Sequence, residues 1–331
     1  MTITASITGT DATDQDFMDK AAGLLVWYSF SQTEPTPQQI GAALQANGLP
    51  MHYLPTPITN LGAYQSATTG AKREYNYRGD TAHILVRPVS SEEEVVTRHL
   101  VREVTDAKGK RLSFTTIGEA LFHRPGNLAK SSTGTIEVNL YSWEIDPGEQ
   151  GEMDAMVAGI KNEYAFRMDH YKPSDIATMV RTMIRDLKAI AVRPTGAVYF
   201  VHRDHVPTMI AIRTFVRDLP GSSMVHSVPL VDSTEQRQML RQSFTEEIED
   251  EVEVLLRDLA ELNATGGGEI SQRAYNTITG RLADALGRAE EHDATLAIVS
   301  GRSRAAIDMA VAAVTAMASA VKAPKRARKV A

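Results

Sequence analysis

The chain has 331 residues, a formal net charge of -6 and no cysteine. Its length allows two domains, or one domain with a large appendage. Hydrophobic residues make up 43% and charged residues 23%, which is ordinary for a globular protein and predicts a packed core. The lack of cysteine excludes disulfides, cysteine-ligated zinc, iron–sulfur clusters and cysteine nucleophiles. The negative charge limits any nucleic-acid contact to a local basic patch.

Residues 1–72 predict a helical N-terminal segment. Asp16 can cap a short apolar helix, FMDKAAGLLVWYSF. The stretch PTPQQIGAALQANGLP predicts a second helix, because Pro37 falls in its first turn and Asn47-Gly48 can end it. The stretch PTPITNLGAYQSATTG predicts a third in the same way. No signal peptide is recognised, and the Ala-rich stretch 305–321 is shorter than the roughly 20 residues that span a bilayer. We therefore expect a cytoplasmic protein without membrane contact.

Residues 73–150 predict an antiparallel β region. The stretches HILVRPV, VVTRHLVREVT, RLSFTTI and TIEVNLYSW are rich in β-branched and aromatic residues, with turn residues between them. The stretch REVTDAKGKRLSFTT predicts a hairpin within this region.

Residues 151–232 predict a small αβ module. Two helices, the second opened by Pro173-Ser174-Asp175, precede the strand AVYFV, the helix VPTMIAIRTFVRDL and the strand MVHSVPL. A basic helix followed by a hairpin around Pro194-Thr195-Gly196 is also the layout of a winged helix, whose helix enters the major groove of DNA. The competing interpretation is a surface helix packed on a strand of a sheet, and the sequence does not decide between them.

Residues 233–321 predict a helical arm, either a hairpin or a coiled coil. Apolar residues three or four apart form one continuous stripe along its first helix. We call the following seven residues the apolar stripe: Leu240, Phe244, Ile248, Val252, Leu255, Leu259 and Leu262. The stripe has to be buried, against the next helix of the same chain or against a second subunit. In the second case these residues form a partner-binding surface.

Two further sets of residues are candidates for nucleic-acid or metal binding. A basic helix face and the basic tail 322–331 could contact phosphates, although a solvated surface explains such charges equally well. The cations concerned are Arg181, Arg185, Lys188, Arg193, Lys325, Arg326, Arg328 and Lys329. His202, Asp204 and His205 follow the strand AVYFV and could bind a metal ion or form an acid–base cluster. Alternatively, Asp204 caps the next helix and the imidazoles are exposed.

Three known catalytic motifs are not found, and paired-carboxylate catalysis, which leaves no spacing signature, stays open. The stretch HRDH does not continue as a protein-kinase catalytic loop, because Met209 stands where that loop needs asparagine. The stretch TGGGEIS lacks the Lys-Ser/Thr pair of a phosphate-binding loop, and no G-x-S-x-G motif occurs. We therefore predict neither a catalytic residue nor a cofactor.

Several stretches resemble an uncharacterised protein family of actinobacteria and their bacteriophages. They are AVRPTGAVYFV, VPLVDS before the long acidic helix, and TPQQIGAALQANGLP followed by PTPITNLGAYQSA. The resemblance covers most of the chain in order. It implies a phage or mobile-element accessory protein, in the host cytoplasm if phage-encoded, and it assigns no catalytic residues.

The sequence as a whole predicts an α+β fold with a helical N-terminal segment, an antiparallel β region, an αβ module and C-terminal helices. We expect a non-enzymatic binding or assembly protein that acts through protein–protein contacts or self-association of its helical arm. The alternatives are a nucleic-acid-binding regulator and a metal-dependent enzyme.

Overall fold

The computed structural model describes residues 21–125, 134–193, 197–265 and 271–317. They form an α+β structure, as expected. The strands are β1 (Ala21–Ser29), β2 (Lys72–Tyr77), β3 (Asp80–Ser91), β4 (Val95–Thr105), β5 (Arg111–His123), β6 (Thr135–Leu140), β7 (Ile190–Ala191), β8 (Val198–His202) and β9 (Met224–Val231). The helices are α1 (Pro37–Ala46), α2 (Asn60–Gly70), α3 (Gln150–Arg167), α4 (Pro173–Asp186), α5 (Val206–Asp218), α6 (Thr234–Thr265), α7 (Gln272–Leu296) and α8 (Gly301–Met317).

The chain divides into two compact units. The first unit contains Ala43–Tyr53 and the described parts of Met1–Gln32 and Ala177–Ala331. The second unit contains Thr33–Ala42 and the described parts of Leu54–Ile176. Each unit has its own buried apolar cluster.

The second unit is built on an antiparallel sheet in the order β2-β3-β4-β5-β6, which confirms the strands expected there. Helices α2 and α3 cover one face, where Tyr64 and Met153 lie among buried strand residues such as Leu100. Near the end of that helical layer, the buried Arg102 guanidinium donates to the Glu149 carboxylate at 2.8 Å. A buried and hydrogen-bonded ion pair of this kind fixes the relative positions of its two side chains more than it adds to the free energy of unfolding.

The first unit contains a four-stranded antiparallel sheet in the order β7-β8-β1-β9. Strand β1 corrects the helix expected over FMDKAAGLLVWYSF, because residues Ala21–Ser29 pair with β8 on one side and β9 on the other. Its first six residues, 21–26, are buried or partly buried on both faces, and such a continuous apolar run cannot be distinguished from a short helix by periodicity. A side chain at Gly23 would collide with the carbonyl oxygen of Val201, so this position needs glycine.

The hairpin expected after α4 is confirmed in part. Strands β7 and β8 pair antiparallel, but β8 also pairs with β1 and is therefore an inner strand of the sheet. An inner strand favours the sheet-packed interpretation of residues 176–201 over the winged helix, whose wing has to project from the fold. Residues 194–196, at the proposed tip of the wing, lie outside the described residues.

Helices α6, α7 and α8 cover one face of this sheet. The apolar stripe of α6 lies in a single cluster with Phe200 and Leu230 of the sheet, Leu282 of α7 and Ile307 of α8. Six stripe residues are at most 5% exposed and Leu262 is partly buried. The stripe is thus covered by its own chain, which removes it as a partner-binding surface. Helix α5 contacts the strands β8 and β9 and packs on the opposite face of the sheet.

Because the stripe is buried, shortening one of its side chains tests directly whether it stabilises the fold of a single chain. Replacement Phe244→Ala should lower the free energy of unfolding by about 3–5 kcal/mol, because it empties a fully buried aromatic site. Met239→Ala, on the same helix but 36% exposed, is the matched control and should cost far less. Urea unfolding measures both. A stripe that docks a second copy would instead give a Phe244→Ala protein of unchanged stability and reduced association.

Candidate functional site

The basic face of α4 is partly used inside the first unit. The Arg181 guanidinium donates to the Tyr28 hydroxyl at 3.2 Å. The Lys188 ammonium donates to the Gly287 carbonyl at 3.2 Å and lies 3.1 Å from the Glu291 carboxylate. Arg185 and Arg193 are exposed, and their guanidinium groups have no ion pair among the described residues. Two of the four cations therefore remain available to a ligand.

Arg185 and Lys188 line a polar cleft of about 480 Å³ against α6 and α7. Its other charged residues are Asp186, Glu251, Asp284 and Arg288. Arg288 is bound by both Glu247 and Glu251, and the Tyr53 hydroxyl donates to Asp186 at 2.8 Å. Cations and anions are balanced around this cleft, so it is not a cationic surface of the kind that grips a phosphate backbone.

His202 is the last residue of β8, and Asp204 and His205 lie on the one-turn 3-10 helix that follows it. The Nδ1 of His202 is 3.2 Å from the Asp204 carboxylate. The buried His202 accepts a hydrogen bond at Nδ1 from the Asp204 backbone N–H at 3.4 Å. His205 Nε2 is 2.8 Å from the Glu291 carboxylate. Within the described ranges no group of three metal-ligating side chains is found. The contacts pair His202 with Asp204 and His205 with Glu291, which does not support the metal-site interpretation. The His202 side chain caps the 3-10 turn, and Asp204 does not cap the following helix α5.

Glu291 and His292 complete a polar network that sequence reasoning did not find. Glu291 accepts from both His205 and Lys188, and these hydrogen bonds outweigh burial and lower the pKa of its carboxyl group. His292 is 1% exposed and its Nε2 is 2.8 Å from the Lys188 carbonyl oxygen. Since a carbonyl can only accept, Nε2 carries the proton. Nδ1 has no hydrogen-bond partner among the described residues.

Lys188 is the centre of this network and has strained backbone geometry. Its φ is +52°, a left-handed conformation that costs a non-glycine residue about 1 kcal/mol or more. Its backbone N–H donates to the Arg185 carbonyl at 2.7 Å and ends α4. Its carbonyl and ammonium groups both contact α7. The network therefore joins the ends of α4 and β8 to α7, and its geometry fits a structural role.

An exposed apolar surface lies on the first sheet. Trp27, Met224, His226 and Val228 are on the same face of the paired strands β1 and β9, and we call these four residues the edge patch. The rings of Trp27 and His226 stack with centroids 5.4 Å apart. Met224 is 57% exposed, Val228 43% and Trp27 37%. Among the described strands β9 is the last in its sheet, so its outer backbone groups have no strand partner.

The fold and these surfaces define an α+β protein that has an apolar sheet edge and, in the part described, no metal-ligating cluster. The chain belongs to the family of unknown function DUF6744, whose model matches residues 22–324. No curated protein and no solved structure matches it. None of the described helices is both long enough and apolar enough to cross a bilayer.

The buried imidazole of His292 predicts acid sensitivity. Burial lowers its pKa to about 4, from an ordinary value of about 6.5, because a second proton would be buried at Nδ1 without a partner. The unfolded chain therefore binds a proton that the folded chain does not between these pH values. The contribution of His292 to the free energy of unfolding is complete above about pH 6.5. It falls by about 3 kcal/mol as the pH is lowered toward 4.

Replacement His292→Gln should flatten this loss, because an amide can donate to the Lys188 carbonyl without titrating. Urea unfolding at pH 7, 5.5 and 4 measures the effect. His52→Gln, at an exposed position, is the control and should leave the pH dependence unchanged. Equal slopes in the wild type and His292→Gln would contradict the assignment.

Proposed function

We propose that this protein is a non-enzymatic assembly protein that associates with a second copy of itself through strand β9. The edge patch supports the proposal, since it combines exposed large apolar side chains with an edge strand that has no outer partner among the described strands. Such edges pair readily with another strand. The proposal keeps the expected class of function and moves the contact surface from the helical arm to the sheet.

The composition of β9 favours strand addition. Residues Met224–Val231 include no Lys, Arg, Asp or Glu, although charged residues commonly protect edge strands. Pro229 has no N–H to donate and protects one end of the strand. In the described sheet the residues from Met224 to Val228 have no strand on their outer side, and they can form a ladder of main-chain hydrogen bonds there.

The occupant is inferred from the order of side chains along β9. Antiparallel pairing of two β9 strands about His226 places Met224 of one copy opposite Val228 of the other. Both cross-strand pairs are then apolar, and Trp27 lies beside them on the same face. A charged partner strand would lose hydration at this surface without gaining an ion pair.

Replacement Val228→Lys tests the proposal, because the ammonium group would be desolvated between two strands. Light scattering on the wild type should show a mass that rises with concentration above the 36.2 kDa of one chain, while Val228→Lys stays at that mass. Val89→Lys is the control, at an apolar side chain of similar exposure (52%) in the second unit. A wild type that is monomeric at every concentration would overturn the proposal. Equal effects of the two substitutions would also overturn it.

Nucleic-acid binding is a second candidate, supported by Arg185 and Arg193, which are exposed and have no ion pair among the described residues. The tail cations proposed for the same role, Lys325, Arg326, Arg328 and Lys329, lie outside the described residues. If this candidate holds, a gel shift with duplex DNA should weaken steeply with salt, and Arg185→Ala should weaken it further. Arg217→Ala, at an arginine whose side chain is 76% exposed on α5, is the control. The absence of any shift at low salt would reject this candidate.

The cellular setting is part of the proposal. We place the protein in the cytoplasm, that of the host if it is phage-encoded, as an accessory factor of an actinobacterial phage or mobile element. The resemblance of the stretches AVRPTGAVYFV and VPLVDS supports this setting.

A further inference from the structure

Helices α7 and α8 form a groove of about 430 Å³ on the surface of the first unit. Leu286, Ala289, Val299 and Ile307 give it an apolar floor. This volume lies within the range of about 300–1,000 Å³ that is typical of ligand pockets.

The carboxylates along the groove are unequally compensated. Asp293 is paired with Arg304 at 2.8 Å. Glu290 and Asp308 also line the groove, and their carboxylates have no ion pair or hydrogen bond among the described residues. Two exposed negative charges therefore border an apolar floor, and Arg304, the cation among the described residues that line the groove, is paired with Asp293 instead.

The groove lining itself carries a net negative charge. Glu290, Asp293 and Asp308 line it against one cation, Arg304, although α7 and α8 together hold five acidic and five basic residues. A surface of one sign raises the local concentration of ligands of the opposite sign and excludes polyanions. Nucleic acid and phosphate are thus poor occupants of this groove.

We propose that the groove binds a basic peptide segment of a partner protein. Lysine and arginine side chains suit both of its features, because their aliphatic stems can cover apolar surface while their charged ends pair with carboxylates. A neutral apolar ligand would desolvate Glu290 and Asp308 without compensation. Charge complementarity therefore identifies the occupant, independently of the association proposed for β9.

A suitable probe is the peptide KAPKRARKVA, which has the sequence of residues 322–331 and combines five cations with alanine and valine. Fluorescence anisotropy measures its binding to the full chain carrying Val228→Lys, so that self-association through β9 does not interfere. The same peptide with glutamine at its Lys and Arg positions is the control ligand. The basic peptide should bind, more weakly as salt increases, and the glutamine peptide should not.

The double substitution Glu290→Gln with Asp308→Asn tests the carboxylates. It should lower the affinity for the basic peptide roughly fivefold or more. The control is Glu246→Gln with Asp250→Asn, which removes the same charge from exposed positions on α6 and should have a much smaller effect. Thermal unfolding checks that both double variants are folded.

Three results would overturn the proposal. The first is no binding of the basic peptide, either to the full chain or to a chain ending at Met317. The second is an equal loss in the two double variants, which would reflect general acidity rather than the groove. The third is binding only to the chain ending at Met317, which would identify the protein's own tail as the occupant in place of a partner.

Discussion

Burial of the apolar stripe of α6 is the constraint on which the first unit depends. A helix of 32 residues with this many large apolar side chains on one face is stable in water only when that face is covered. Phe244 lies among residues of the sheet, α7 and α8 in a single cluster. Loss of that contact would expose apolar surface on the sheet, on α7 and on α8 at once. We therefore expect α6, α7, α8 and the sheet to unfold cooperatively.

The polar network around Lys188 fixes how the helical layer meets the sheet. Apolar packing is non-directional and tolerates sliding of one helix on another, whereas hydrogen bonds do not. Lys188 contacts α7 through its carbonyl and its ammonium group, and Glu291 also binds His205 at the end of β8. A strained residue at this junction is consistent with a position determined by several contacts together.

The sequence predicted the elements whose pattern is local, and it failed where the pattern depends on distant residues. The strands of the second unit are rich in β-branched and aromatic residues and are separated by turn residues, and the stripe of α6 repeats every three or four positions. The first six residues of strand β1 are buried or partly buried on both faces, so this apolar run resembles a helix until β8 and β9 pair with it. His205 and Glu291 are 86 residues apart, and no spacing rule connects them. The sequence also did not determine whether the stripe of α6 is covered by the same chain or by a second copy, since either could supply the apolar surface.

The central position of β1 also explains why the candidate contact surface is at β9. Strand β1 satisfies the backbone of β8 on one side and of β9 on the other, which leaves the outer backbone of β9 unpaired in the described sheet. The stripe of α6 packs against β7, β8 and the part of the sheet near Ala22 and Leu230. Trp27, Met224 and Val228 remain exposed at the other end of the same face. An apolar surface left open beside an unpaired, uncharged edge is the combination that strand addition requires, because hydrogen bonds and side-chain burial are then gained in one step.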